Sequence, residues 1–415
     1  MKKIILTVTT IFFLIFFSYI SLALIFKTSP KDYFGIGYKT FKNLPIKLQV
    51  AIKLFIDQDY LNNLYNDYNV KHIPETQFLD IQFSKIKLDF IEQTKSEYAG
   101  LKKTFFIDIY KQKILITDKK GNIFFLNKNN ISNTKEQPNK IKNNLKPDYI
   151  LDTFVKDENL YISFVDTKNG CETMNVSTAK IDNDYLEFRK ILNSKECGIT
   201  IQGGRIQNIN TLDKKGILLT TGANIPDLPS KFAQNNESIF GKILYIDIKS
   251  GEVEIFSKGH RNPQGLLVKD NLILSTEHGP KGGDEINKII LGKNYGWPIS
   301  SYGESYANDD LIYFKSHIEN SFEEPIFSFL PSIGISEIIF LPNSFSSKWQ
   351  NNFLISSLNG RSLYRIKFNE SFTKIFYKEK IFIGQRIRDL KHDEDLNAIL
   401  LSLEDTGELG LIKSN

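Results

Sequence analysis

Apolar and polar positions divide the 415-residue chain into three stretches with different periods. After Met1-Lys2-Lys3, residues 4–26 are uncharged and mostly apolar. As a helix this run is about 34 Å long at ~1.5 Å per residue, enough to cross a bilayer core. Its end, Ala23 to Lys27, carries no small-residue cleavage pattern, which favours an uncleaved signal anchor over a removed signal peptide. Lys2 and Lys3 place the start of the chain in the cytoplasm, although Lys27 and Lys31 beyond the run weaken that asymmetry. The expectation is a membrane segment at 1–27, with everything after it on the periplasmic side of a bacterial inner membrane. If the segment is cleaved, the same domain is released into the periplasm.

Residues 28–74 have a different texture. Leu48, Ile52, Leu54, Phe55, Tyr60, Leu61 and Leu64 recur at helical spacing. This reads as a short helical neck, or as a linker containing one helix. From residue 75 to 415 the pattern is β. Apolar runs at 113–117, 123–126, 160–165, 216–221, 243–247, 272–275, 353–357 and 398–402 alternate with Gly, Asp and Asn turn clusters. About 340 residues of continuous short strands exceed one sandwich and divide into six propeller blades of roughly 40–55 residues. The expected fold is all-β, a six-bladed β-propeller over 75–415.

Composition changes this picture little. The net charge of +5 comes from scattered lysines rather than one basic element, so no nucleic-acid footprint is present. Two cysteines, Cys171 and Cys197, flank one polar stretch. They form one bridge in an oxidising compartment, or remain two buried thiols.

One region carries dense chemistry. Residues 259–265 read Gly-His-Arg-Asn-Pro-Gln-Gly, and 277–285 read Glu-His-Gly-Pro-Lys-Gly-Gly-Asp-Glu. Then come Gly-Lys-Asn-Tyr-Gly-Trp-Pro at 292–298 and Ser-Tyr-Gly at 301–303. Glycines here allow tight turns and close backbone approach, and irregular loops can turn carbonyl oxygens toward a hard cation. Arg386 and Arg388 stand two apart on a strand-like segment, so their side chains leave one face.

These strings resemble the soluble aldose sugar dehydrogenases of the glucose/sorbosone dehydrogenase family, enzymes that use pyrroloquinoline quinone (PQQ) and calcium. The likeness is strongest over 241–306. It returns at Asn359-Gly360, at 384–389 and at 407–410, and fades before residue 200. It implies a six-bladed propeller with PQQ at one end of the central channel. It also implies that Arg261, Asn262, Tyr306, Arg386 and Arg388 contact the cofactor, and that Gly279 and Pro280 hold its calcium through backbone carbonyls. Glu285 and Tyr295 match a second, structural calcium site. The plainer alternatives are an Arg261 that ties blades together, a solvated strand face at Arg386 and Arg388, and turn-capping carboxylates at Asp284 and Glu285.

Three departures accompany the resemblance. The family's catalytic histidine lies just before a Gly-Gly-Arg motif, here 203–205, so its position falls on Ile201 or Thr200. Asn359 stands where the family usually has a lysine. The family's Gly-Gly-Leu-Leu stretch is not found around 75–79. Two function classes therefore stay open: a sugar dehydrogenase with altered catalysis, and a propeller that binds a carbohydrate or a protein in the cell envelope. A remote third is a hydrolase or lyase using Glu277 or Asp284.

Overall fold

The computed structural model describes residues 81–414 apart from 97–99, 132–137, 183, 224–230 and 307–312. The expected membrane segment and neck lie outside the described residues. Within them, no helix is long and apolar enough to cross a membrane, and the helical elements are single 3₁₀ turns.

Six sheets of four or five strands make a six-bladed β-propeller. The innermost strands, in blade order, are Phe105–Tyr110, Tyr149–Lys156, Gly203–Thr211, Pro263–Lys269, Ile335–Leu341 and Ile387–Asp393. Each contacts its neighbours around the ring, the sixth meeting the first. The sixth blade is completed by the first described strand: Ile81–Lys87 pairs with Glu408–Ser414, with Ile81 opposite Ser414. The ring is thus closed by hydrogen bonds between the two ends of the propeller.

The core follows the same sixfold plan. Each of six apolar clusters fills one interface between adjacent blades. In the second strand of blade 1, Leu115 faces blade 2, whereas Ile114 and Ile116 face blade 6. A strand buried on both faces needs a continuous apolar run rather than alternation, and that is what 113–117 shows.

Five inner strands carry a register shift near their start: between Ile150 and Asp152, Gly203 and Ile206, Pro263 and Gly265, Ile335 and Ile338, and Ile387 and Leu390. A bulge re-aims the side chains of the unpaired residues. Arg205, Glu337 and Asp389 sit in these bulges and meet in the channel. Hydroxyls of the second strands bond to the bulged backbone of the next blade: Ser163 to Gly204, Thr220 to Pro263 and Thr276 to Ser336.

Candidate functional site

The starts of the inner strands and the ends of the second strands surround a cavity of about 580 Å³. Arg261 and Asn262 enter it from the turn before the inner strand of blade 4. Arg261 is buried; its backbone N–H donates to Glu277, its Nη1 to the His278 carbonyl at 3.2 Å, and its guanidinium lies 5.3 Å from the Trp297 ring centre. The Asn262 amide oxygen accepts from Gln264 at 2.7 Å, and its nitrogen stands 3.4 Å from His278 Nδ1.

Arg386 and Arg388 belong to blade 6. Their Nε atoms bind the two oxygens of Glu404 at 2.6 and 2.9 Å, and Arg388 Nη1 reaches Gln264 at 3.0 Å. They form a fixed guanidinium pair on the cavity wall rather than a solvated strand face. Burial pushes the Glu404 carboxyl up, but Arg388 and Arg386 outweigh it and hold it down at about 2. Burial also lowers the Arg388 guanidinium.

Gly279 and Pro280, of the same blade as Arg261 and Asn262, also line the cavity. Gly279 N–H donates to Asp284 at 3.1 Å. A Cβ at Gly279 would lie 2.2 Å from the Gly283 carbonyl oxygen, so only glycine fits this turn. The Pro280 carbonyl accepts from the Tyr306 hydroxyl at 3.1 Å, and Tyr306 stands at the mouth with 59% of its surface exposed. Five expected cofactor contacts and both expected calcium-loop residues thus share one cavity.

Ile201 lines it as well. Its N–H donates to Glu172 at 2.8 Å, its carbonyl accepts from Tyr149 at 3.2 Å, and its side chain joins the cluster between blades 2 and 3. Thr200 is not on the wall and has a left-handed backbone, φ 56°. Cys171 and Cys197 are disulfide-bonded, with Cα atoms 5.2 Å apart, and fasten the loop that leads to Ile201.

Glu285 and Tyr295 lie apart from the cavity. Glu285 is buried, bonded to Asn287 at 3.2 Å, with His317 at 3.8 Å. Burial, then the Glu277 and Glu324 carboxylates nearby, raise its carboxyl well above the ordinary range. The Tyr295 hydroxyl is engaged by Lys288 and Ile290, and its ring stacks on His260 at 4.7 Å. A buried carboxylate among further acidic oxygens, with little positive charge to balance it, fits a hard cation. Glu285 could contribute a carboxylate oxygen to such an ion. Tyr295 has its hydroxyl occupied and could contribute only through its backbone.

Among the described residues, one tight carboxylate trio has metal-like spacing: Asp152, Glu337 and Asp389. Arg205 fills it, its Nη1 lying 2.8, 2.9 and 3.2 Å from the three. Glu277 and Asp284, the acids of a hydrolytic reading, are also spent. Glu277 binds His260 and the Arg261 backbone, and Asp284 accepts from the backbones of Gly279, Ile333 and Ile335.

Sequence reasoning missed Lys119, Gln264 and His278 on the wall. Gln264 and His278 fall inside the Gly-rich strings and gave no separate signal. Lys119 sits in an ordinary-looking turn, Asp118 to Asn122.

The glucose/sorbosone dehydrogenase family model matches residues 101–412. Aldose sugar dehydrogenase YliI of Escherichia coli (strain K12) is 32% identical over 207 residues, which is 49% of this chain and 52% of that protein. The chain thus aligns with about half the length of that relative. The apo structure of the soluble aldose sugar dehydrogenase from E. coli superposes with a TM-score of 0.65 at 23% identity, covering 81% of this chain and 99% of that one. The PQQ-bound aldose sugar dehydrogenase from Streptomyces coelicolor gives 0.55 at 18% identity, covering 81% and 100%.

Proposed function

The chain belongs to the glucose/sorbosone dehydrogenase family, and from that premise we propose that it is an aldose dehydrogenase-like propeller that holds PQQ and calcium in this cavity. The observation that carries the reading is the convergence of Arg261, Asn262, Arg386, Arg388 and the Gly279–Pro280 turn on the lining of one cavity. A planar polyanion suits guanidinium forks and an amide. The donor set therefore fits PQQ, and the carbonyl-bearing turn fits calcium. When bound, the pair supplies a two-electron acceptor and a Lewis acid.

The chain's own residues do the holding. Glu404 keeps Arg386 and Arg388 side by side, and Gln264 bridges Arg388 to Asn262. Asp284 fixes the calcium turn through Gly279. A sugar hydroxyl that is oxidised must also lose a proton, and Ile201 has no group to take it. Losing a general base costs roughly 10²- to 10⁴-fold in rate, so we expect slow turnover.

A second reading, a propeller that binds a carbohydrate or a protein in the envelope without oxidising it, is favoured by the apolar Ile201 and by the uncharged Asn359. The apolar run at 4–26 supports attachment to a bacterial inner membrane, with the propeller in the periplasm.

Reconstitution separates the readings. The full-length chain is purified in detergent, supplied with calcium and PQQ, and assayed for cofactor binding and for dye reduction with aldoses. Stoichiometric PQQ binding with turnover, even slow, is the expected result. Absence of PQQ binding at micromolar cofactor rejects the dehydrogenase reading, and binding without turnover favours the second.

A further inference from the structure

Lys119 follows Asp118 at the end of the second strand of blade 1, Lys113–Asp118, and is half-buried on the cavity wall. Its N–H donates to the Thr104 carbonyl at 3.1 Å, and its carbonyl accepts from Ile150 at 2.8 Å. These bonds fasten it to the starts of two inner strands. Its ammonium lies 5.0 Å from the Tyr149 ring centre, an arrangement that favours a cation. Tyr149 is itself held by Glu172 and the Ile201 carbonyl.

The charged groups facing Lys119 are Arg388 and Glu404 of blade 6. Glu404 is already bound by both arginines. Among the described residues, no carboxylate lies within ion-pair distance of Lys119. It is a cation in a confined site, beside other cations, with no anion of its own. Its place in blade 1 corresponds to that of Leu358 and Asn359 in blade 5, after the second strand Asn352–Ser357. Blades 5 and 1 flank blade 6 on opposite sides, so Lys119 and Asn359 bracket the Arg386–Arg388 pair.

We propose that Lys119 binds an anionic group of the cofactor, supplying from blade 1 the third positive charge beside Arg386 and Arg388 that Asn359 cannot supply from blade 5. This rests on the PQQ reading of the cavity. Burial, then Arg388, push the Lys119 ammonium down to about 8. Its charge is therefore present at neutral pH and lost as the pH rises through about 8. An arginine at this position keeps its charge throughout.

The test is equilibrium titration of the calcium-loaded full-length chain with PQQ, followed by absorbance or fluorescence and needing no turnover. Lys119→Met should weaken binding roughly 10- to 100-fold, the worth of one charge-assisted contact. Adding Asn359→Lys to that variant should recover most of the loss. Wild type should lose affinity as the pH passes about 8, and Lys119→Arg should not. That contrast carries the test if Lys119→Met does not fold. A natively folded Lys119→Met within about twofold of wild type, or identical pH profiles for wild type and Lys119→Arg, overturns the inference. Failure of wild type to bind PQQ is a separate outcome, which removes the cavity reading and this inference with it.

Discussion

Glu404 is buried and serves two guanidiniums at once. Its folded-state carboxyl is held at about 2, below the ordinary value of about 4.3. A depressed carboxyl adds stability that is complete above the ordinary value and is lost as pH falls toward the folded one. Urea unfolding should therefore show wild-type stability declining on acidification through this window. Glu404→Gln should lack that component of the decline and should be less stable at neutral pH by about 2–3 kcal/mol. This lies below the figure for fully buried pairs because both arginines are partly solvated. A Glu404→Gln protein as stable as wild type would show that the arginines do not need their carboxylate. Lys119 teaches a different lesson about single residues. Its identity and its turn are ordinary, and only the folded ring places it beside Arg388, so no local pattern could have marked it.

At the scale of elements, legibility followed burial. The apolar runs at 113–117, 160–165, 216–221, 272–275, 353–357 and 398–402 are the second strands of the six blades. They are covered on both faces, so hydrophobicity alone announces them. The inner strands are harder to read. Gly203–Thr211, Pro263–Lys269 and Ile387–Asp393 carry glycine, proline, glutamine, arginine and aspartate because one face lines a polar channel and each start is bulged. The loop at 278–284 was legible for the opposite reason, since its glycines serve close backbone approach at Gly279 and Gly283 and a left-handed backbone at Gly282. Gly279→Ala tests that. The new methyl meets backbone oxygens of Gly283 and Gly282 at 2.2 and 2.4 Å, so the loop must shift, at a cost of about 1–3 kcal/mol. In a thermal melt calcium should raise the Tm of wild type more than that of Gly279→Ala, whose remaining shift comes from the Glu285 site. An equal calcium shift in both proteins would dissociate this turn from metal binding. The bridge between Cys171 and Cys197 acts on the loop that leads to Ile201. Replacing both with serine should lower stability by about 2–4 kcal/mol and open the segment before Ile201 to protease. Unchanged cleavage there would show that Glu172, bonded to Ile201, holds the loop unaided.

The propeller as a whole meets at one side chain. Arg205 rises from the inner strand of blade 3 and binds Asp152 of blade 2, Glu337 of blade 5 and Asp389 of blade 6. Its Nε donates to the Gln264 carbonyl of blade 4 at 2.6 Å, and its guanidinium lies 5.7 Å from the Phe106 ring centre of blade 1. One residue therefore touches all six blades. Buried carboxylates repel one another, and burial raises both Asp152 and Glu337, so the trio is tolerable only around a cation. A guanidinium can do this because its donors diverge in a plane, whereas an ammonium is a point charge on a flexible stem. Arg205→Met strands the carboxylates and should cost about 3–5 kcal/mol or prevent folding. Arg205→Lys keeps the charge and isolates the geometry. If the ring depends on the fork, urea unfolding should place Arg205→Lys near Arg205→Met; if charge alone suffices, it should fall near wild type. The first outcome is expected, because a lysine cannot serve three carboxylates and two backbone carbonyls from different blades at once.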